Sequence, residues 1–142
     1  MNMPAADSMT MVVHSGDLDK AMAAFIIGTG AAAKGTKVTM FFTFWGLNLI
    51  KKDGARKAKL SRMHMGGLGT AMIKKLMRKG NVAPLAELIS DAKELGVRMI
   101  ACEMTMGLMN VPKEQLIPEA TEIGGVGTYL DAAAEAHVNL FV

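Results

Sequence analysis

Five short apolar runs alternate with stretches of helical period along this chain, and that alternation restricts the fold more than any single residue does. Thr10-Met11-Val12-Val13-His14 has no helical period, and Ser15-Gly16-Asp17 breaks it. Leu18, Ala21, Met22, Phe25, Ile26 and Thr29 then recur at three- and four-residue steps, which predicts a helix begun at Asp17 and stopped at Gly30 or Gly35. Val38 to Thr43 is rich in β-branched and aromatic residues and reads as a second strand running into a short helix before Ile50. Thr70 to Arg78 reads as a helix with Met72, Ile73, Leu76 and Met77 on one side, and Leu85, Leu88, Ile89, Ala92 and Leu95 mark another, closed by Gly96. Val97 to Ala101 is a strand ending at Cys102. Pro112 opens a short helical turn, Thr121-Glu122-Ile123 is a weak strand, Gly124-Gly125 begins a last helix, and Val138 to Val142 is a terminal strand. Strands joined through helices are parallel, with right-handed crossovers. The expected fold is therefore α/β: a three-layer, flavodoxin-like, mostly parallel sheet of about five strands with helices on both faces.

The 142 residues suffice for one domain, 1–142, with a real core, and 51% hydrophobic residues make it a packed protein. Residues 1–8 read as a flexible arm without the basic and apolar regions of a secretory signal. A single cysteine forms no internal disulfide, which fits a reducing cytoplasm. The apolar stretch from Val38 to Ile50 is too short and too often interrupted by Thr, Gly and Asn to span a membrane.

Net charge is +3 but unevenly placed: ten basic residues between Lys51 and Lys79 face one acid, Asp53, so that segment is +9 and the remainder −6. Residues 51–69 read as a basic, Gly- and Met-rich loop insertion. Such a segment is either a solvated face or a docking surface for an acidic protein, an anionic ligand or a membrane surface. Nucleic acid is not expected, because no helix-turn-helix, finger or RNP pattern accompanies the charge and no aromatic residue lies within it to stack a base.

Parallel strands bring their carboxyl ends to one edge, where ligands of open α/β sheets bind. His14 and Ser15, the run Thr43-Phe44-Trp45-Gly46-Leu47-Asn48, Cys102, and Gly124-Gly125 meet there. Cys102 lies where a strand turns into a helix, and the helix dipole favours a thiolate, whereas Glu103 opposes it. Thr105 suits the cap of that turn. The plain alternative is a buried thiol that only packs. His14 is a candidate base for the thiol, or a strand-end histidine bonded to a loop. His64, Gly66 and Gly67 lie in a Gly/Met loop that reads as a lid or as surface, and Met104, Met106 and Met109 are candidates to wall the thiol in an apolar pocket. A lone cysteine resolves no disulfide of its own; it suits a persulfide or a mixed disulfide with another protein. Three scattered histidines and one cysteine give no metal spacing, and neither a Walker A loop, a dinucleotide fingerprint nor a Gly-x-Ser-x-Gly elbow is present, so no metal or cofactor is expected.

Four segments carry a family resemblance: Phe41-Phe42-Thr43-Phe44-Trp45-Gly46-Leu47-Asn48, Met63-His64-Met65-Gly66-Gly67-Leu68-Gly69-Thr70, Ile100-Ala101-Cys102-Glu103-Met104-Thr105-Met106, and Gly124-Gly125-Val126-Gly127-Thr128-Tyr129-Leu130. In this order they resemble the DsrE/DsrF/DsrH-like proteins, nearest the DsrE2/DsrE3-type branch often labelled peroxiredoxin-like. The chain departs from that pattern at Gly107 and Asn110, and the context of a peroxidatic cysteine is absent. The resemblance implies a flavodoxin-like fold and a cytoplasmic sulfur carrier or sulfurtransferase. It implies sulfane sulfur held as a persulfide on Cys102, homo-oligomers, and exchange with small carrier proteins of the TusA type or rhodanese-like partners. Two other readings stay open from the residues: a docking subunit that uses segment 51–79, with peripheral membrane contact among its forms, and a nucleotide or coenzyme A module.

Overall fold

The computed structural model describes residues 7–142, so residues 1–6 of the expected arm lie outside the described residues. Five strands, β1 (Ser8–Val13), β2 (Lys37–Phe42), β3 (Arg98–Cys102), β4 (Glu122–Gly124) and β5 (Val138–Phe141), form one sheet in the order β4-β3-β2-β1-β5. Every pairing is parallel, as the alternation with helices requires. Ser8, placed in the arm by its composition, opens β1 instead, in register with Lys37.

The helices are α1 (Leu18–Ala33), α2 (Gly54–Lys57), α3 (Leu68–Lys79), α4 (Leu85–Glu94), α5 (Glu103–Leu108) and α6 (Val126–Glu135). From β1 to β4 the chain steps across the sheet in one direction, and then β5 returns to the far side of β1. Right-handed crossovers that step in opposite directions place their helices on opposite faces. The first face accordingly carries α1, α4 and the segments around α5, packed on Met11, Val13, Met40, Phe42, Met99 and Ala101 in the main core. The second face carries α6, whose Tyr129 packs on a smaller cluster of Phe41, Ile100 and Cys102. The period-2 alternation of β2 and β3 assigns these residues to the two faces.

Small residues decide how close α1 lies to the sheet. Its buried stripe runs through Leu18, Ala21, Met22, Ala24, Phe25 and Gly28, while Ile26, expected on that stripe, faces solvent. A Cβ on Gly28 would meet the Met40 sulfur at 3.5 Å, ordinary contact distance, so only a side chain longer than alanine would press on the sheet. The helix passes through Gly30 and ends before Gly35, which takes φ +93°. Lys37–Phe42 and the following 3-10 turns, Phe44–Ile50, reproduce the expected strand and short helix. The stretch read as loop contains one turn of helix, α2, and a 3-10 turn at Met65–Gly67 ahead of α3. The apolar residues of α3 divide: Ile73 and Met77 are half-buried, whereas Met72 and Leu76 are exposed. Short β4 is fastened by Arg98, whose guanidinium donates to both carboxylate oxygens of Glu122 across the strand pair. No helix among the described residues is long and apolar enough to cross a membrane.

Candidate functional site

Cys102 is the last residue of β3 and stands immediately before α5, at the carboxyl edge of the sheet. Its neighbour in the β3–β4 register is Gly124. A Cβ on Gly124 would lie 3.1 Å from Thr128 and 3.2 Å from Ile100, so a glycine here keeps β4 and α6 close beside the cysteine. Gly125 precedes the first turn of α6. The side chain of Cys102 is 3% exposed and rests against Phe41, Ile100 and Tyr129.

Polar groups converge on this sulfur within its apolar walls. The Thr43 and Thr105 hydroxyls are hydrogen-bonded to each other at 3.1 Å, and the Phe44 N–H donates to Thr105 Oγ1 at 3.0 Å. The Phe44 amide occupies an acceptor site of Thr105, and of the two hydroxyl protons one serves the Thr43–Thr105 bond and the other is free for the sulfur. Burial by itself pushes the Cys102 thiol up; hydrogen bonds from the Thr105 hydroxyl and amide, the Thr43 hydroxyl and the Met104 amide outweigh it and hold the thiol below its ordinary value. Thr105 therefore acts from inside the turn, fully buried, and not as the residue that starts it: Cys102 occupies that position. The arrangement favours a sulfur anion through hydroxyls and backbone amides, with no charged side chain among its hydrogen-bonding partners.

A thiol whose pKa is lowered on folding adds stability above its unfolded value, and that stability is lost as pH falls through the folded value. The stability gap between the native chain and a Cys102→Ser variant is thus expected to widen as pH rises towards 9, read from urea midpoints across that range. Thr105→Val removes one donor to the sulfur and the acceptor of the Phe44 amide at nearly equal volume. A hydrogen bond to a charged group contributes about 1.5–3 kcal/mol, so alkylation of Cys102 at neutral pH is expected to slow by about tenfold or more, with its pH midpoint moved upward.

The loop from Thr43 to Asn48 is held against β1 by glycine. A Cβ on Gly46 would fall 1.9 Å from the Val13 carbonyl oxygen, and the Gly46 N–H donates to the His14 oxygen at 2.8 Å. Gly16 fits under the same loop, where a Cβ would lie 2.6 Å from the Trp45 oxygen. Phe44 takes φ +47°, a left-handed conformation held by its bond to Thr105.

The structure brings only part of the expected set to the thiol. Thr43, Thr105, Gly124 and the Met104 amide surround it. His14 is not among its hydrogen-bonding partners; the imidazole instead packs between the rings of Phe44 and Phe141, each 5.6 Å away by centroid. Ser15 turns away: its hydroxyl donates to Asp17 Oδ2 and accepts the Asp17 N–H, both at 3.1 Å, at the start of α1. Ser15, Trp45 and Asn48 line a separate cavity of about 470 Å³ with Lys51, Lys52, Lys57 and Lys59. Gly66 and Gly67 adopt φ +64° and +103° in the turn before α3, where the Gly67 and Gly69 amides donate to the His64 oxygen; none of these residues is among the hydrogen-bonding partners of the thiol.

The methionine wall is corrected. Met106 is buried in the main core on the first face and Met109 packs against that same core, while the Met104 side chain is exposed. On a helix, residues two apart do not share a side. The wall is made by Phe41, Ile100 and Tyr129, which the sequence reading did not single out. Their signal was present in the strand period: Ile100 and Cys102 are two apart on β3, and Phe41 pairs in register with Ile100. Tyr129 stacks on Phe41 with ring centroids 5.4 Å apart.

A parallel sheet whose β3 ends in a buried, hydrogen-bonded thiol defines the class: a flavodoxin-like α/β protein with a single strand-end cysteine. The chain belongs to the DsrE/DsrF/DrsH-like family, whose model matches residues 5–59 and 53–141. It is 42% identical over 153 residues to the uncharacterized protein YrkE of Bacillus subtilis, covering 94% of this chain and 95% of that one. It is 32% identical over 155 residues to the sulfur carrier protein DsrE2 of Allochromatium vinosum, covering 94% and 97%. Among solved structures, the fold is shared with MTH1491 of Methanobacterium thermoautotrophicum, a protein of unknown function, at a TM-score of 0.64 and 13% identity over 95% of this chain and 98% of that one. It is shared also with the ychN protein of E. coli, at 0.60 and 11% over 96% and 99%.

Proposed function

We propose that this protein carries sulfane sulfur as a persulfide on Cys102 and passes it to a partner thiol. The observation that carries the reading is the set of groups gathered at one buried sulfur: a hydrogen-bonded pair of threonine hydroxyls and two backbone amides, which together favour its anion. Family membership and the sulfur-carrier relative support it. The Cys102 thiolate attacks the outer sulfur of a donor persulfide, R–S–SH. The new S–S bond forms as the donor's own S–S bond breaks, and R–S⁻ leaves. The outer sulfur keeps its proton and its oxidation level, so the step needs no oxidant. An acceptor thiolate then attacks the same outer sulfur and returns Cys102 as the thiolate.

The walls of Phe41, Ile100 and Tyr129 keep water from the loaded sulfur. Their cost is access: at 3% exposure, a donor meets Cys102 only after local opening. Opening falls to α5 and α6, which flank the cysteine and bear the exposed side chains of Met104, Leu108, Val126 and Leu130. A small carrier protein of the TusA type, or a rhodanese-like protein, is the proposed partner there, and self-association of this chain is proposed as well.

Intact-mass analysis of unreduced protein tests the reading. Exposure to polysulfide or to a persulfidated protein is expected to add mass in steps of one sulfur, removable by dithiothreitol and mapped to the peptide containing Cys102. No added sulfur, or sulfur on other residues only, would exclude it.

A further inference from the structure

Helix α3 presents an apolar stripe to solvent. Leu68, Met72 and Leu76, at i, i+4 and i+8, are 70%, 51% and 56% exposed. Only Gly69 and Thr70 of this 12-residue helix are buried, with Ile73 and Met77 half-buried beneath it. The helix is nonetheless fastened to the body. The Leu60 N–H donates to Thr70 Oγ1 at 3.2 Å, the Lys74 ammonium donates to the Arg56 oxygen at 2.7 Å, and a Cβ on Gly69 would meet the Met63 oxygen at 1.7 Å. The stripe continues into the exposed Met63 and Met65 of the preceding turn.

Charge shares that outward side. At 100° per residue, Lys75 and Lys79 rise beside Leu68 and Met72, with Arg78 and Lys74 on the adjoining flank. Lys75, Arg78 and Lys79 have no acidic partner within salt-bridge distance among the described residues. We propose that the outward side of α3 lies on an anionic lipid surface. The apolar side chains enter the boundary between headgroups and acyl chains, and the lysine stems lie along it with their ammonium groups at the phosphates. Charge decides against the same face of a second copy as the occupant: packing α3 on α3 would set one +9 segment against another. An acidic protein would answer the lysines but leave the interleaved Leu68, Met72 and Leu76 needing an apolar face of their own, whereas a bilayer interface supplies both. The rest of the chain, at −6, is then repelled by the anionic surface, which orients the protein with α3 down.

Vesicle flotation of the full chain tests this independently of the thiol. Binding is expected to phosphatidylcholine vesicles containing phosphatidylglycerol, with none to phosphatidylcholine alone, and loss at high salt. Lys75→Gln, Arg78→Gln and Lys79→Gln are expected to weaken binding by about fivefold for each charge removed. Met72→Ser with Leu76→Ser is expected to weaken it by about tenfold or more. Unchanged circular dichroism and sulfur uptake on Cys102 show that these variants are folded. The proposal is overturned by absence of binding to the anionic vesicles, by equal binding to both vesicle types, or by undiminished binding of the folded variants. It is overturned equally if Met72→Ser with Leu76→Ser splits an oligomer in sedimentation while the native chain ignores lipid.

Discussion

Cys102→Ser abolishes sulfur loading, whatever the donor: after polysulfide treatment the variant keeps the mass of the untreated chain, while the native protein gains sulfur. The expectation is all-or-none because Cys102 is the only cysteine among the 142 residues. A hydroxyl in its place has no usable anion near neutral pH and forms no stable bond to sulfane sulfur. The fold should survive the change, since serine is nearly the same size and Thr43, Thr105 and two amides stand ready to bond it. The variant loses the anionic contribution of the thiolate, not the packing. Loading that persisted in this variant would remove the persulfide reading altogether. Tyr129→Ala provides a graded companion: uncovering one wall should quicken alkylation of Cys102 and shorten the life of the loaded sulfur.

Gly46→Ala is expected to have the largest effect on stability and to reach the thiol from a distance. The added methyl would lie 1.9 Å from the Val13 oxygen and 2.7 Å from its carbonyl carbon, both backbone atoms of β1, a strand paired on both sides, so no side chain can yield. The loop must leave the end of β1, giving up the hydrogen bond from the Gly46 amide to the His14 oxygen. That combination belongs to the severe end of point mutations, about 3 kcal/mol or more, or roughly 10 °C in Tm for a chain of this length. Because the same loop carries Thr43 and the Phe44 amide, the Cys102 thiolate is expected to be less favoured in whatever fraction remains folded. Gly107→Ala is the control. A Cβ there meets nothing within 4 Å, and alanine favours the helix, so Tm should hold or rise slightly. Equal losses in the two variants would contradict the account of Gly46.

Much of the architecture was legible because the signals are local. Apolar runs and helical periods mark all five strands and the longer helices, and parallel pairing follows from their alternation. What local period misjudged was burial. Ile26 and the Met72–Leu76 pair fit apolar helical stripes, yet they face solvent. Periodicity says which residues share a side of a helix; whether that side meets the sheet depends on neighbours distant in sequence. On α1, Ala24 and Gly28 allow the closer approach and take the inner side from Ile26. The Gly/Met segment had a second reading as a lid because glycines suggest mobility. Gly66 and Gly67 instead supply the positive φ of a tight turn, and Gly69 admits a carbonyl.

Residue order alone specifies the parallel α/β framework, the edge at which the strand ends gather, the single candidate thiol, and the concentration of positive charge in one segment. These follow from residue types and short periods, which act over a turn or a strand. Which groups face Cys102 is settled by the assembled fold. Thr43 and Thr105 lie 62 residues apart; Phe41 comes with Thr43 from the end of β2, Ile100 with Cys102 from β3, and Tyr129 from α6. The reversal of strand order at β5 sends α6 alone across the second face, and that asymmetry closes Tyr129 over the sulfur and seats methionines elsewhere. Burial and hydrogen bonding act through space between such segments, so the environment that sets the thiol's charge exists only once the sheet has assembled.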